Sequence, residues 1–359
     1  MNNGKKHIVV GLSGGVDSSV TALLLKENGF RVTAVFMQNW EADREDPHCS
    51  AMQDLSDARA VCNKLNIELR TVNFAAEYWE RIFQYFLDEL AAGRTPNPDI
   101  LCNQEIKFKA FLHYALEIGA ELIATGHYAS LNPQANLTYL QKSLDQSKDQ
   151  TYFLHRLNQY QLSHSLFPLG DIDKKTVREI AARAGLINHN KKDSTGICFI
   201  GERKFRDFIS EYLLAQPGSV ETAEGKILGQ HQGLMFYTLG QRQGLGIGGL
   251  KKFPEGAWYV VGKDLKQNKL IVAQDSYHPL LMSSQLVCNQ VHWIAEQPAF
   301  PLSCKAKIRH RQEDQDCQVY SIDPKTYRVE FNHPQRAVTP GQSVVFYHDE
   351  ICLGGGIIL

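Results

Sequence analysis

Apolar runs alternate with amphipathic stretches through the first half of the chain. His7–Leu12 is continuously apolar and predicts a buried strand, while Ser18–Asn28 places Val20, Leu23 and Leu24 at helical spacing and stops at Gly29. The same reading predicts strands over Arg31–Met37, Ile67–Val72 and Leu122–Thr125. It predicts helices over Asp54–Leu65, Glu77–Ala92 and Gln104–Gly119. Strands separated by helices predict an α/β fold with a doubly wound parallel sheet, whose ligands sit beyond the carboxyl ends of the strands. Helices with basic faces are expected over Lys174–Gly185 and Glu202–Leu214.

After Pro217-Gly218 the texture changes. Glycines cluster (Gly240, Gly244, Gly246, Gly248, Gly249), and short β-like runs follow at Trp258–Gly262, Lys269–Ala273, Gln285–Ile294, Ser303–Arg309, Cys317–Ser321, Arg328–Phe331 and Ser343–Tyr347. Short strands with turn punctuation predict an antiparallel barrel. The expected organisation is a doubly wound unit over residues 1–204, a small central domain over 205–275 and a C-terminal antiparallel β-barrel over 276–359.

Composition changes this picture little. The 359 residues are 43% hydrophobic and 21% charged, as in a soluble globular protein of two or three domains. No run approaches the ~20 apolar residues of a membrane helix, and Met1–Lys6 is too short and polar for a secretion signal. A cytoplasmic location, with no membrane partner, is the expectation. None of the eight cysteines forms a C-x-x-C pair, which argues against a zinc ribbon. Net charge is −1, but its distribution is uneven. Lys174–Arg206 holds nine Lys/Arg against three acids, Lys305–Arg311 holds four basic residues and a histidine without an acid, and Gln38–Asp57 holds six acids against one arginine. Such segregation suits a face that meets a polyanion, although any single cluster also reads as a solvated helix face.

The sharpest motif is Gly11-Leu12-Ser13-Gly14-Gly15-Val16-Asp17-Ser18-Ser19, which closes the first strand and opens the first helix. Gly14 and Gly15 let backbone approach a phosphate, the serines add hydroxyl donors, and the helix directs free N–H groups and its positive dipole at the anion. No lysine follows the glycines, so the G-x-x-x-x-G-K-[ST] loop is not met, and neither is G-x-G-x-x-G. Two cysteines have suggestive neighbours. Cys102 follows Arg94-Thr95-Pro96-Asn97-Pro98-Asp99, read as a rigid non-helical segment with a helix starting just beyond. A thiol there would have its thiolate stabilised by the helix dipole, with Asp99 three residues away to handle protons. Cys198 follows Lys191-Lys192-Asp193-Ser194-Thr195-Gly196-Ile197, where nearby positive charge favours thiolate.

The SGGVDS loop resembles the signature of the pyrophosphatase-loop ATPases, which adenylate an oxygen and release pyrophosphate. With both cysteines, the chain resembles one branch of them, the bacterial tRNA-specific 2-thiouridylases. The matching segments are GLSGGVDSS, VFMQNW, TPNPDILCN, IATGHYAS, SKDQTYFL, DSTGICFIG, YTLGQRQGLGIGG and AVTPGQSVVFY, spread over residues 11–347. The resemblance implies an adenine nucleotide alpha hydrolase-like sheet and the use of ATP with Mg²⁺. Gly11, Leu12, Ser13, Gly14, Gly15, Val16, Asp17 and Ser18 would hold the nucleotide, with Asp17 near the metal and Val35, Met37 and Gly126 near the adenine. It implies that Cys198 carries a persulfide received from a sulfur-donor protein, that Cys102 frees the sulfur and ends in a Cys102–Cys198 disulfide, and that Asp99 is the acid/base residue. It implies tRNA contacts at Asn97, Pro98, Asp99, His127, Lys148, Asp149, Gln150, Arg309, His310 and Gln342. The substrate implied is the wobble uridine of tRNAs for lysine, glutamate and glutamine. The segment Lys142–Tyr152 is polar and loop-like, and is expected to order on tRNA.

Two other readings stay open on residues alone. A small-molecule adenylating enzyme of the same loop family needs no cysteine pair, and an RNA-binding protein that senses ATP needs neither Asp99 nor the cysteines. An iron–sulfur enzyme is disfavoured because Cys102 and Cys198 have no third cysteine nearby in sequence.

Overall fold

The computed structural model describes residues 5–40, 51–193, 204–247 and 256–359. Strand β1 (His7–Gly11) is buried along its whole length, which is why its sequence is apolar rather than alternating. It is followed by α1 (Val16–Glu27), β2 (Arg31–Gln38), α2 (Ala51–Leu65) and β3 (Glu68–Asn73). A helical stretch then runs through α3 (Ala75–Tyr78), a wider π-turn (Trp79–Phe83) and α4 (Gln84–Ala91). A second runs through α5 (Pro98–Leu101), a π-helical segment (Cys102–Ala110) and α6 (Phe111–Glu117), and leads into β4 (Leu122–Ala124). After the hairpin β5 (Ser130–Gln134) and β6 (Leu137–Gln141) come the short helices α7 (Thr151–Leu154) and α8 (Gln159–Ser163), then β7 (Ser165–Leu166) and α9 (Lys174–Arg183). The five strands β3-β2-β1-β4-β7 form one sheet, with every pairing parallel. This is the doubly wound sheet expected from the strand and helix pattern. Ile8, Val10 and Val20 pack on one side of it, and Val9, Phe108 and Phe111 on the other.

Helix α10 (Phe205–Ser210) leads into a four-stranded sheet in the order β10-β11-β8-β9, made of β8 (Gly218–Thr222), β9 (Ile227–His231), β10 (Tyr259–Asp264) and β11 (Lys269–Ala273). The remaining strands are β12 (Met282–Trp293), β13 (Leu302–Lys307), β14 (Gln315–Asp323), β15 (Thr326–Arg336), β16 (Ser343–His348) and β17 (Ile351–Ile358). They run in the order β12-β15-β14-β13-β16-β17, and β17 pairs back onto β12, closing an antiparallel barrel.

Two long-range features go beyond the sequence reading. The hairpin β5–β6 lies within the first half of the chain but pairs with β17 through Gln141–Ile351 and Leu140–Cys352, extending the barrel sheet by two strands. The segment Lys142–Tyr152 is loop as far as Gln150, as its polarity implies, and its side chains are bonded to the rest of the protein. Lys142 and Asp314 form an ion pair of 2.6 Å, the buried Asp149 carboxylate accepts from the Ser143 N–H and the Thr151 hydroxyl, and the Tyr152 hydroxyl donates to the Ser343 carbonyl. Polar side chains here satisfy one another as well as water, which composition alone does not reveal. Among the described residues no helix is long and apolar enough to cross a membrane.

Candidate nucleotide and sulfur-transfer site

The Ser13–Ser19 loop lies at the carboxyl end of β1, between β2 and β4. Gly14 has φ +78°, and a Cβ there would overlap the Asp54 carbonyl of α2. Gly126, just beyond β4, lies so close to α1 that a Cβ would come within 2.8 Å of the Ser18 nitrogen. Gly11 faces Met37, whose Cε lies 3.2 Å from the position of a Cβ. The sheet thus brings the loop, Met37 and Gly126 together, as expected for strand ends in a parallel sheet.

Within the loop, Ser18 Oγ accepts from the Ser13 N–H at 3.2 Å and donates to the Gly15 carbonyl at 3.1 Å. Gly15 is the N-cap of α1, and no side chain caps the helix, so its first-turn N–H groups are directed at an incoming anion. Behind the loop, the buried Asn188 donates to the Gly14 carbonyl and to Ser19 Oγ, both at 2.9 Å. Lys191 pairs with Asp54 and Asp57 of α2.

Asp17 is the centre of a charge network. Lys174 Nζ lies 2.8 and 2.7 Å from its two carboxylate oxygens, and the Tyr128 hydroxyl donates to it at 2.9 Å. Lys174 also pairs with Asp193 at 2.7 Å, and Asp193 in turn pairs with Lys148 and Arg178. Burial pushes the Asp193 carboxyl up, but the hydrogen bonds and charges of Lys174 and Lys148 outweigh it and hold it at about 2. Lys174, Asp193, Tyr128 and Asn188 were not singled out from sequence. Lys174 read as one residue of a basic helix face, whereas its ammonium is nearly buried against two carboxylates. The available signal for Asp193 was its place beside Lys191 and Lys192, five residues before Cys198.

For Mg²⁺ the protein offers little by itself. Among the described residues no group of three or more His, Cys, Asp or Glu side chains could hold a metal. Mg²⁺ keeps waters and substrate phosphates as most of its ligands and needs only one or two carboxylates. Asp17 fits that single role, in exchange for Lys174.

The second cluster lies at the start of the helical stretch that contains Cys102. The expectation of a helix beginning after Cys102 is corrected here. The helix begins at Pro98, because Asn97 caps it by accepting from the Asp99 N–H at 3.1 Å and proline is preorganised for the first helical position. Cys102 is therefore buried beyond the first turn, where the dipole's effect on a thiolate fades, and it opens the π-helical segment. Burial raises the Asp99 carboxyl, with Lys107 and His310 opposing. Cys198 lies outside the described residues.

Of the expected tRNA-contacting residues, Gln342 and His310 lie at this helix start, and the others are spread over the nucleotide side and the barrel. Gln342 donates to the Thr95 carbonyl at 2.6 Å, and the Thr95 N–H donates to the Pro340 carbonyl. His310 lies 2.7 Å from the Asp149 carbonyl and stacks near Phe153, and burial lowers its imidazole. Gln150 accepts from the Tyr128 N–H at 2.9 Å. Arg309 donates to the Leu239 and Ala337 carbonyls, tying the connection between β9 and β10 to the barrel. Lys148 stays half-exposed on Asp193. His127 is buried between Phe108 and Phe167, bonded to Thr125 at 2.8 Å, and desolvation keeps it neutral. A continuous chain of bonds therefore runs from Asp17 through Tyr128 to Gln150, and the adjoining Asp149 carries it on to His310.

Residues 6–202 match the tRNA methyl transferase HUP domain, 206–274 the tRNA methyl transferase PRC-barrel domain, and 283–358 the aminomethyltransferase beta-barrel domain. A tRNA-specific 2-thiouridylase MnmA of Coxiella burnetii (strain RSA 493 / Nine Mile phase I) is 60% identical over 352 residues, which cover 98% of this chain and 97% of that one. The chain belongs to the tRNA-specific 2-thiouridylase family. Other family members of the same printed name, from Legionella pneumophila (strain Lens) and Pseudomonas paraeruginosa (strain DSM 24068 / PA7), are each 56% identical over 355 residues. These cover 99% of this chain and 98% and 94% of theirs. The family resemblance read from the motifs is thereby shown.

Proposed function

We propose that this protein is an ATP-dependent tRNA sulfurtransferase that installs 2-thiouridine. The observation that carries the reading is the bonded path from the Asp17 loop to Asp149 and His310, in a member of the 2-thiouridylase family. That path links Asp17 to Gln150 and, through the adjoining Asp149, to His310, which supports reading the nucleotide loop and the RNA-facing residues as one site.

In this reading the uridine O2 attacks the α-phosphorus of ATP and pyrophosphate departs, which converts a poor leaving group into AMP. Gly11–Ser18 grip the nucleotide with Met37 and Gly126 beside the adenine, and Asp17 would hold Mg²⁺, which would neutralise phosphate charge. Lys174, released from Asp17, is positioned to balance the triphosphate. The target base leaves the anticodon stack to reach the loop, with Asn97, Pro98 and Asp99 against it and His127, Lys148, Gln150, Arg309, His310 and Gln342 on the flanking RNA. Asp99 moves the proton, a role its raised carboxyl supports.

Cys198 receives a persulfide from a sulfur-donor protein. Its terminal sulfur attacks C2 and AMP leaves, while Cys102 attacks Cys198 to close a disulfide that a reductant reopens. Because Cys102 is buried, this step requires the helix start at Asn97–Asn103 to open. We assign nucleotide and sulfur chemistry to residues 1–204, linked through 205–275 to a tRNA-gripping barrel at 276–359. The substrate set we propose is the wobble uridine of the lysine, glutamate and glutamine tRNAs, in the cytoplasm.

The test is incubation with labelled ATP, a persulfide source and unmodified tRNA, followed by nucleoside analysis. AMP and 2-thiouridine should form together, and Cys102→Ala and Cys198→Ala should each abolish the thionucleoside. Full 2-thiouridine formation by Cys198→Ala would overturn the persulfide route. AMP formation that ignores tRNA would favour a small-molecule substrate.

A further inference from the structure

Outside the site above, two other cysteines face each other across adjacent strands. Cys304 of β13 and Cys317 of β14 are directly opposed in register, and their sulfurs lie 3.7 Å apart. Directly opposed residues share one face of a sheet with Cβ atoms about 4.5–5.5 Å apart. A disulfide needs Cβ atoms about 3.5–4.5 Å apart and sulfurs at about 2.05 Å. Closure therefore needs only a small approach of two strands that are already paired.

The two thiols are not equivalent. Cys317 is buried in the barrel core, whereas Cys304 is partly exposed. A cleft of ≈ 360 Å³ reaches both of them, lined also by Ser303, Asp316, Tyr347 and His348. The hydrogen bond to Cys304 and burial together raise the Cys317 thiol. Cys304 is the more accessible member, and so the one a dissolved oxidant reaches first.

The pair also sits at the base of a functional loop. Between β13 and β14 lies residues 308–314, which carry Arg309 and His310. This loop is held by Lys307 to Asp314 at 3.6 Å and by Gln312 to the Ile308 N–H at 2.9 Å.

We propose that Cys304 and Cys317 form a redox-active dithiol that closes to a cross-strand disulfide with a low-molecular-weight disulfide as oxidant. The Cys304 thiolate attacks one sulfur of the small disulfide, forms a mixed disulfide and expels one small thiolate. Cys317 then loses its proton and attacks the Cys304 sulfur, expelling the second thiolate. One protein dithiol is oxidised, one small disulfide is reduced, and the two protons end on the two small thiols. The product fixes covalently the base of the loop that carries Arg309 and His310. Disulfides in reducing compartments are characteristically transient and redox-sensing, and this pair has the half-open geometry for that role. The inference needs neither ATP nor tRNA, so it stands apart from the proposed activity.

The test equilibrates the full-length protein with graded ratios of oxidised to reduced glutathione, quenches with acid, alkylates remaining thiols and maps peptides by mass. The expected result is a reductant-sensitive Cys304–Cys317 linked peptide, lighter by two hydrogens, that grows with the ratio while Cys62 and Cys288 stay alkylatable once denatured. Cys317→Ser should trap glutathione on Cys304, and Cys304→Ser should leave Cys317 without an adduct. If both thiols of the wild-type protein remain alkylatable at the most oxidising ratio, or bridge to other cysteines instead, the proposal is overturned. This wild-type measurement decides even if a serine variant fails to fold.

Discussion

Gly14→Ala is the sharpest perturbation of the loop. At φ +78° an L-residue costs about 1–2 kcal/mol relative to its favoured regions. The added Cβ would also overlap the Asp54 carbonyl oxygen and sit 2.9 Å from its carbon. Both belong to the backbone of α2, which cannot swing aside as a side chain would. Overpacking of this kind costs about 1–3 kcal/mol. The sum, about 2–5 kcal/mol, is less than the roughly 5–15 kcal/mol that holds a domain folded, so the variant should fold. It should relieve the strain by turning the Gly14 peptide away from Asn188 and Asp54. That turn misdirects the loop's N–H groups, and since about 1.4 kcal/mol is tenfold in affinity, nucleotide binding should fall at least tenfold. Calorimetric titration with a non-hydrolysable ATP analogue reads the binding, and urea unfolding reads the fold. A variant with wild-type affinity and an unchanged urea midpoint would refute the claim that α2 clamps this peptide.

Lys174→Met should destabilise by about 1–2 kcal/mol in urea. Removing a fully buried partner costs about 3–5 kcal/mol, but Asp17 and Asp193 are each about one-third exposed, and solvent screens what remains. Asp314→Asn should cost about 3–5 kcal/mol, because it strands two nearly buried ammonium groups, Lys142 and Lys307. Lys142→Met should cost less, about 1–2 kcal/mol, since Asp314 keeps Lys307; equal urea midpoints for the two variants would contradict this. The Asp193 carboxyl is depressed from 3.8 to about 2, so its stabilisation is present above about pH 4 and drains away as pH falls toward 2. Asp193→Asn should flatten the fall in urea midpoint between pH 4 and pH 2.5 while lowering the midpoint at pH 7.

The parallel sheet was legible chiefly through its central strands β1 and β2, which are buried along most of their length and so read as apolar runs. The later strands were legible where a short apolar run stands between turn residues, as in Lys269–Ala273 of the central sheet, which the structure reproduces residue for residue. Strand β17 was missed because Gly354, Gly355 and Gly356 look like a break. They are needed for close approach, since a Cβ at Gly355 would come within 2.8 Å of the buried His155 and within 3.0 Å of Val345. The hairpin β5–β6 was missed for a different reason, because Pro133 and the polar tip carry little strand signal. At the site, the nucleotide loop was readable since its chemistry is contiguous in sequence. The Lys174–Asp17–Asp193 bridge was not, because long-range ion pairs leave no periodic trace. Proline and asparagine before Cys102 were misread as extending a loop, when together they start a helix.

The hairpin at 130–141 has a consequence for biosynthesis. Its inner strand β6 finds a strand partner in Ile351 and Cys352 of β17, which the ribosome makes far later than Leu140. Until then the nascent first half exposes an unpaired strand edge, the kind of surface that invites mispairing. The barrel thus acts as a late clasp on a unit already made, and shortening the chain by its seventeenth strand should damage folding well upstream of the cut.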